Sequence, residues 1–103
     1  MSIKKSVVLF SGNGSNLKNL LKNSSNIKDK LVYEAAFTNN PKAGGIEVCR
    51  NFNLEICVCN DESFNSELSN FLNKHDPDLI VLAGYMKIIP PEIVNQYTGK
   101  IIN

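Results

Sequence analysis

The stretch at residues 79–84, LIVLAG, limits the folds open to this chain more than any other feature. It is apolar throughout, with no alternation of polar and apolar side chains. A strand with one solvated face alternates, whereas a strand buried on both faces reads as a continuous apolar run, as in the middle of a parallel sheet. We therefore predict a buried parallel strand here, covered by helices on both faces.

Apolar runs of this kind alternate with amphipathic segments along the rest of the chain. Further strands are predicted at residues 6–10, 31–38, 54–58 and from 100 onward, and helices at 17–23, 43–51, 64–74 and 91–97. Strands that alternate with helices form parallel sheets with right-handed crossovers. The predicted fold is an α/β fold with an open, mainly parallel, Rossmann-like sheet and helices on both faces. The chain stops just after its fifth strand begins, which predicts an exposed sheet edge.

Length and charge exclude several classes of protein. The 103 residues suffice for one small domain, and the net charge of +1 offers no basic excess for a nucleic-acid backbone. No apolar run approaches the ~20 residues needed to span a bilayer. The N-terminal MSIKK lacks the layout of a signal peptide. The sequence therefore predicts a cytoplasmic protein that binds neither nucleic acid nor membrane.

The cysteines and the single histidine offer no metal site. Cys49, Cys57 and Cys59 are odd in number and lack the C-x-x-C spacing of zinc ligands. We predict reduced thiols that act as small buried hydrophobic residues, with Cys57 and Cys59 on one face of a strand. His75 stands beside Asp76 after the third predicted helix, and we predict a surface turn residue there.

The loop SGNGSN, residues 11–16, lies between the first strand and the first helix. We name it the glycine loop. Ligands of such folds bind beyond the carboxyl ends of the strands, and a helix N-terminus presents free N–H groups that suit an anion. Glycine allows close backbone approach, and Ser15 or Asn16 can cap the helix. A tight turn with a capping residue is the alternative reading.

The glycine loop departs from the two common nucleotide loops. A dinucleotide loop reads G-x-G-x-x-G, but here Gly12 and Gly14 are followed by Leu17 at the third position. The acidic residue expected at the end of the second strand is replaced by TNN, and the G-K-[ST] of a P-loop is absent. The pattern favours a cradle for a single phosphate with neutral polar neighbours.

Four stretches in order carry a resemblance to a known family: VVLFSGNGSNLKNLL, FTNNPKAGGIE, PDLIVLAGYMKIIP and GKIIN. The chain resembles the phosphoribosylglycinamide formyltransferases over essentially its whole length. The resemblance implies the formyltransferase fold, with residues 1–103 as its N-terminal, ribonucleotide-binding half and the C-terminal catalytic half absent. It implies transfer of a formyl group from 10-formyltetrahydrofolate to the amine of glycinamide ribonucleotide, in purine synthesis, without a metal.

The resemblance also implies roles for individual residues. It assigns the phosphate of glycinamide ribonucleotide to Gly14, Ser15 and Asn16. It assigns the formylfolate site to backbone and apolar groups of Met86, Lys87, Ile88 and Ile89, and to Asn103. Lys87 stands where arginine is usual in the family, and Asp61 stands near where an arginine close to the folate tail is often found.

Asn103 is the catalytic residue that the resemblance implies. Its amide would donate to the formyl oxygen as negative charge develops there, an interaction whose loss typically costs about 10²–10³ in kcat. The family's catalytic histidine, two residues later, and its aspartate fall beyond these 103 residues. We therefore expect ribonucleotide binding with negligible turnover from this fragment alone.

Two other functions stay open on the sequence. One is a formyltetrahydrofolate hydrolase-like enzyme, which would share the LAG strand but has no ribonucleotide phosphate for SGNGSN to hold. The other is a non-catalytic phosphate-binding module that is complete as it stands. Such a module would behave as a monomer, whereas a half-domain with an exposed edge would self-associate.

Overall fold

A computed structural model of the chain describes residues 4–23, 31–60 and 64–102. Its elements run, in chain order, β1 (Lys4–Phe10), α1 (Ser15–Asn23), β2 (Leu31–Thr38), α2 (Gly45–Asn51), β3 (Glu55–Val58), α3 (Phe64–His75), β4 (Leu79–Leu82), α4 (Pro91–Gln96) and β5 (Ile101–Ile102). This is the predicted alternation of strands and helices. Asn103 lies outside the described residues.

The sheet has five parallel strands in the order β3-β2-β1-β4-β5. The chain builds outward from β1 to β3, then returns to place β4 on the other side of β1. Register pairs Phe10 with Thr38 and Leu9 with Leu82, so β1 ends level with both neighbours. In open α/β sheets, ligands bind in the crevice where the strand order reverses, outside the carboxyl ends of the strands. That crevice lies between β1 and β4.

The two faces of the sheet carry separate hydrophobic cores. Alternate residues of β1 point to opposite faces, so Val7 and Leu9 belong to one core and Val8 and Phe10 to the other. The first core is completed by α3 and α4, through Leu68, Phe71, Leu72, Ile93 and Tyr97. The second is completed by Leu17 and Leu21 of α1 and by Ala43 and Cys49 in and before α2. The predicted helices on both faces are confirmed.

Most element boundaries agree with the sequence analysis. Asn53 adopts φ 56°, as a left-handed residue after α2, and Pro91 opens α4. Several others differ by one or two residues. α2 begins at Gly45 instead of residue 43, because the Ala43 N–H donates to Asn40 O in a turn before the helix. β4 ends at Leu82 instead of residue 84, although Ala83 N–H still donates to Leu9 O at 2.9 Å.

The cysteines are free thiols, as predicted. Cys49 and Cys59 are buried, and Cys57 is half-buried on the same core as Cys59. Burial raises the pKa of the Cys49 thiol to about 11. That thiol therefore stays protonated near neutral pH and behaves as a small hydrophobic side chain.

The prediction of a surface turn for His75 is wrong. His75 is the last residue of α3 and is only 7% exposed. Its Nδ1–H donates to Glu34 Oε2 in β2 at 2.7 Å, and its ring centroid lies 4.8 Å from that of Phe71. The sequence shows only that a helix ends there. The packing of α3 against β2 decides that its last side chain turns inward.

Candidate functional site

The glycine loop leaves the central strand and enters α1, as the sequence predicts. Ser11 follows β1 directly, and α1 begins at Ser15. The Oδ1 atom of Asn13 accepts the N–H of Ser15 at 3.0 Å, and Lys18 N–H donates to Gly14 O at 2.7 Å. The side chain that serves the helix entrance is therefore Asn13, and not Ser15 or Asn16 as predicted.

Ser15 and Asn16 lie on the first turn of α1, and both side chains are exposed. The first turn contains no acidic residue that would repel an anion. Early N–H groups of a helix lack intrahelical acceptors, and the helix dipole adds partial positive charge at this end. The geometry suits a phosphate or carboxylate at the mouth of the crevice.

Gly14 holds this loop against α2. It adopts φ +91°, and a Cβ atom built on it would lie 2.6 Å from Gly45 Cα and 3.0 Å from Val48 Cγ2. The Gly45 N–H also donates to Gly12 O at 3.2 Å. Both the backbone conformation and the space exclude any larger residue at position 14.

A buried polar junction links the glycine loop to the two neighbouring strand ends. Ser11 Oγ donates to Asn39 Oδ1 at 2.7 Å, and Asn40 Nδ2 donates to Ser11 O at 3.2 Å. Met86 N–H donates to Ser11 Oγ at 2.9 Å. The sequence analysis used TNN to exclude a dinucleotide site and, within FTNNPKAGGIE, as part of the family resemblance, and it gave Ser11 no role of its own. One feature of the sequence could have indicated this junction: Ser11, the TNN segment and the segment at Met86 each follow a strand, and these three strands are neighbours in the parallel sheet.

The segment 86–89 carries two of the most exposed apolar side chains among the described residues. Met86 is 82% exposed and Ile88 is 87% exposed, while Ile89 packs against the core. Exposed apolar side chains beside a crevice are typical of a binding surface.

Two open clefts meet at this segment. One, of about 500 Å³, is lined by Ser11, Asn39, Asn40, Pro41, Asn60, Met86 and Lys87. The other, of about 540 Å³, is lined by Asn65, Met86, Lys87, Ile88, Pro90, Pro91 and Glu92. Met86 and Lys87 line both clefts and separate a polar side from a more apolar one. The structure thus brings the segment 86–89 to the start of the glycine loop, whereas Asn103 lies outside the described residues.

Two features are absent from the described part of the chain. Residues 4–23, 31–60 and 64–102 contain no helix long and apolar enough to cross a membrane. Within the same ranges, no group of three or more histidine, cysteine, aspartate or glutamate side chains is placed to hold a metal ion.

Comparison with known proteins identifies relatives of the whole chain. The sequence model of the family described as formyl transferase matches residues 4–103. The phosphoribosylglycinamide formyltransferase of Escherichia coli K12 is 36% identical to this chain, in an alignment that covers 94% of this chain and 49% of that protein. A crystal structure of the Anaplasma phagocytophilum phosphoribosylglycinamide formyltransferase has a TM-score of 0.85 at 32% identity, over 97% of this chain and 48% of that one. The chain thus spans about half the length of these relatives.

A further solved structure bears on the hydrolase alternative. A formyltetrahydrofolate deformylase from Pseudomonas putida matches with a TM-score of 0.81 at 16% identity, over 97% of this chain and 37% of that one. At that identity the likeness shows a shared fold alone. The two relatives above, at 36% and 32% identity, carry the family name that the four sequence stretches predict.

Proposed function

This chain belongs to the formyl transferase family, and from this premise we propose that the whole protein transfers a formyl group from 10-formyltetrahydrofolate to glycinamide ribonucleotide. The glycine loop is the observation that carries the proposal. It places Gly14, Ser15 and Asn16 at a helix N-terminus beside the crevice, where they would hold the ribonucleotide phosphate. The reaction belongs to purine synthesis, and we place the protein in the cytoplasm.

The formyl donor is assigned to the segment 86–89. The exposed side chains of Met86 and Ile88 offer apolar contact to the flat ring system of a folate. Backbone groups of Lys87 and Ile89 would supply the hydrogen bonds. Lys87, in place of the usual arginine, provides a point charge and not a planar fork. The donor would thus lie across the strand-order reversal from the phosphate.

The proposed chemistry is direct attack of the ribonucleotide amine on the formyl carbon. The carbonyl oxygen gains negative charge in the tetrahedral intermediate, the amine loses a proton, and the tetrahydrofolate nitrogen leaves with a proton. Holding both reactants at one crevice supplies proximity and orientation. The Asn103 amide would donate to the developing oxyanion.

We expect this 103-residue chain to bind the ribonucleotide and to turn over negligibly. The acid–base residues that the family resemblance places after Asn103 are not among its residues. Loss of acid–base assistance alone lowers rates by about 10²–10⁴. Formyl transfer by the chain at a rate typical of an enzyme would contradict this expectation.

Calorimetry with glycinamide ribonucleotide tests the phosphate assignment. Ser15 and Asn16 are exposed, so the double variant Ser15→Ala/Asn16→Ala should fold normally. Removing two hydrogen-bond donors to a charged phosphate should weaken binding by about 10- to 100-fold. The matched control is Thr98→Ala, which removes an exposed hydroxyl at the end of α4 and should bind as the unaltered chain does.

Absence of ribonucleotide binding, or equal binding by the double variant and the unaltered chain, would overturn the phosphate assignment.

The deformylase alternative is tested by assaying the whole protein for formate release from 10-formyltetrahydrofolate without ribonucleotide. Formate release without transfer would favour that alternative. Ribonucleotide binding by a protein that does neither would favour a non-catalytic phosphate-binding module.

A further inference from the structure

Ser11 has a position that no substrate assignment accounts for. It follows the central strand, it is only 6% exposed, and it lies outside the phosphate residues 14–16. Its neighbours on either side are the residues that follow β2 and β4. A polar side chain buried at the meeting point of three strand ends is either satisfied there or strongly destabilising.

The hydrogen bonds of Ser11 have one consistent direction. A serine hydroxyl has one donor and two acceptor sites. The Oγ–H donates to the carbonyl oxygen Oδ1 of Asn39 at 2.7 Å, which leaves a lone pair to accept Met86 N–H at 2.9 Å. Asn39 is itself buried, at 7% exposure, so it provides a fixed anchor for the hydroxyl.

These hydrogen bonds hold the backbone of Met86, the first residue of the segment 86–89. Met86 has an exposed side chain, so its backbone is not held by packing of that side chain. The hydrogen bond to Ser11 connects its amide to a residue 75 positions earlier in the chain. Ser11 in turn continues into the glycine loop. One buried hydroxyl therefore connects the two parts of the crevice.

We propose that Ser11 is a positioning residue that holds the segment 86–89 in register with the glycine loop through the Asn39–Ser11–Met86 hydrogen bonds. Its functional consequence rests on the proposed function, which assigns the segment 86–89 to the formyl donor and residues 14–16 to the phosphate. Loss of the hydroxyl should disturb donor binding selectively, because the backbone of the glycine loop and its contact with Gly45 remain.

Amide hydrogen exchange of the 103-residue chain tests the positioning role directly. Ser11→Ala should accelerate exchange at Met86 by about tenfold or more, because its N–H loses a buried acceptor. Ser11→Thr keeps the hydroxyl and should restore slow exchange. The matched control is Ser6→Ala in β1, the strand that leads into Ser11: Ser6 is fully buried, and its Oγ has no hydrogen-bond partner among the described residues. That variant should leave Met86 unchanged.

Unchanged exchange at Met86 in folded Ser11→Ala overturns the positioning role, as does equal acceleration in Ser6→Ala. If Ser11→Ala fails to fold, Asn39→Ala tests the same bonds from their other end. It leaves Oγ in place but removes its anchor, and exchange at Met86 should rise by about threefold or more. No rise in that variant also overturns the proposal.

Steady-state kinetics of the whole protein test the selective consequence. Ser11→Ala should raise the KM for 10-formyltetrahydrofolate about tenfold and change the KM for glycinamide ribonucleotide by about twofold or less. Equal increases in both KM values contradict the selective role. If the unaltered whole protein transfers no formyl group, the proposed function is wrong, while the exchange at Met86 still decides whether Ser11 positions the segment.

Discussion

The ring of His75 shows how much a single side chain depends on residues distant in sequence. Its Nδ1–H donates to Glu34, 41 positions earlier, and its Nε2 lies 3.3 Å from Glu55 Oε2. Phe71, one turn earlier in α3, packs against the same ring. Histidine thus joins the end of α3 to β2 and β3, on the sheet face that also buries Phe37 and Leu72.

Replacing His75 should cost far more stability than replacing its neighbour. His75→Ala removes a short hydrogen bond and an aromatic contact at a buried site, and we expect unfolding to become easier by about 2 kcal/mol. The control is Lys74→Ala. Its side chain is 70% exposed and its ion pair with Glu55 spans 3.4 Å, so we expect about 0.5 kcal/mol or less. Urea unfolding of both variants at neutral pH measures the difference, and equal losses would show that the His75 contacts contribute little.

The glycine loop packs closely on α2, and this contact helps to position the candidate site. Gly14 and Gly45 meet without side chains between them, and Gly45 itself sits against the Phe10 ring, where a Cβ would lie 2.5 Å from Cε2. α2 therefore approaches both β1 and the loop closely. The position of the proposed phosphate site is set by this contact as much as by α1.

Substitution by alanine should destabilise the protein at one glycine of this loop and have little effect at the other. Gly14→Ala requires a positive φ and forces its Cβ against Gly45 Cα, so we expect a loss of about 2–4 kcal/mol. Gly12→Ala meets nothing within 4 Å, and we expect a change of about 0.5 kcal/mol or less. Urea unfolding measures the free energy of unfolding of both variants, from the midpoint and the m-value. A Gly14→Ala variant as stable as Gly12→Ala would mean that the loop can move away from α2.

Among the five described strands, β5 lies at one edge of the sheet. Ile101 and Ile102 pair only with β4 among the described strands, and Ile102 is 46% exposed. Unpaired edges with apolar side chains are sites of edge-to-edge association. The sequence analysis predicted self-association on this ground, and it stays a prediction.

The 103-residue chain should self-associate as its concentration is raised, and a charge on the edge should oppose this. We expect Ile102→Lys to weaken association by about tenfold, equivalent to ~1.4 kcal/mol. The control is Val94→Lys, where a similarly exposed apolar side chain belongs to the helix α4 and not to the edge strand. Sedimentation velocity over a range of concentrations measures the self-association of the unaltered chain and of both variants. A monomer at every concentration, or equal weakening by both variants, would exclude association through β5.

The amino-acid sequence alone predicts the order of elements, the buried strands, the helices on both faces and the glycine loop. These features follow from short-range causes: the period of apolar residues, the preference of proline and asparagine for particular backbone angles, and the freedom of glycine. The left-handed Asn53 and the start of α4 at Pro91 are examples. The family resemblance rests on the same local stretches.

Which residues meet at the crevice and at the sheet's faces depends on how the elements pack together. The hydrogen bonds of Ser11 join residues 28 and 75 positions apart, and that of His75 spans 41. Such contacts depend on which strands become neighbours and on how closely α2 and α3 approach the sheet. No local pattern encodes those distances, because the same helix or loop can pack in several ways until the whole core selects one.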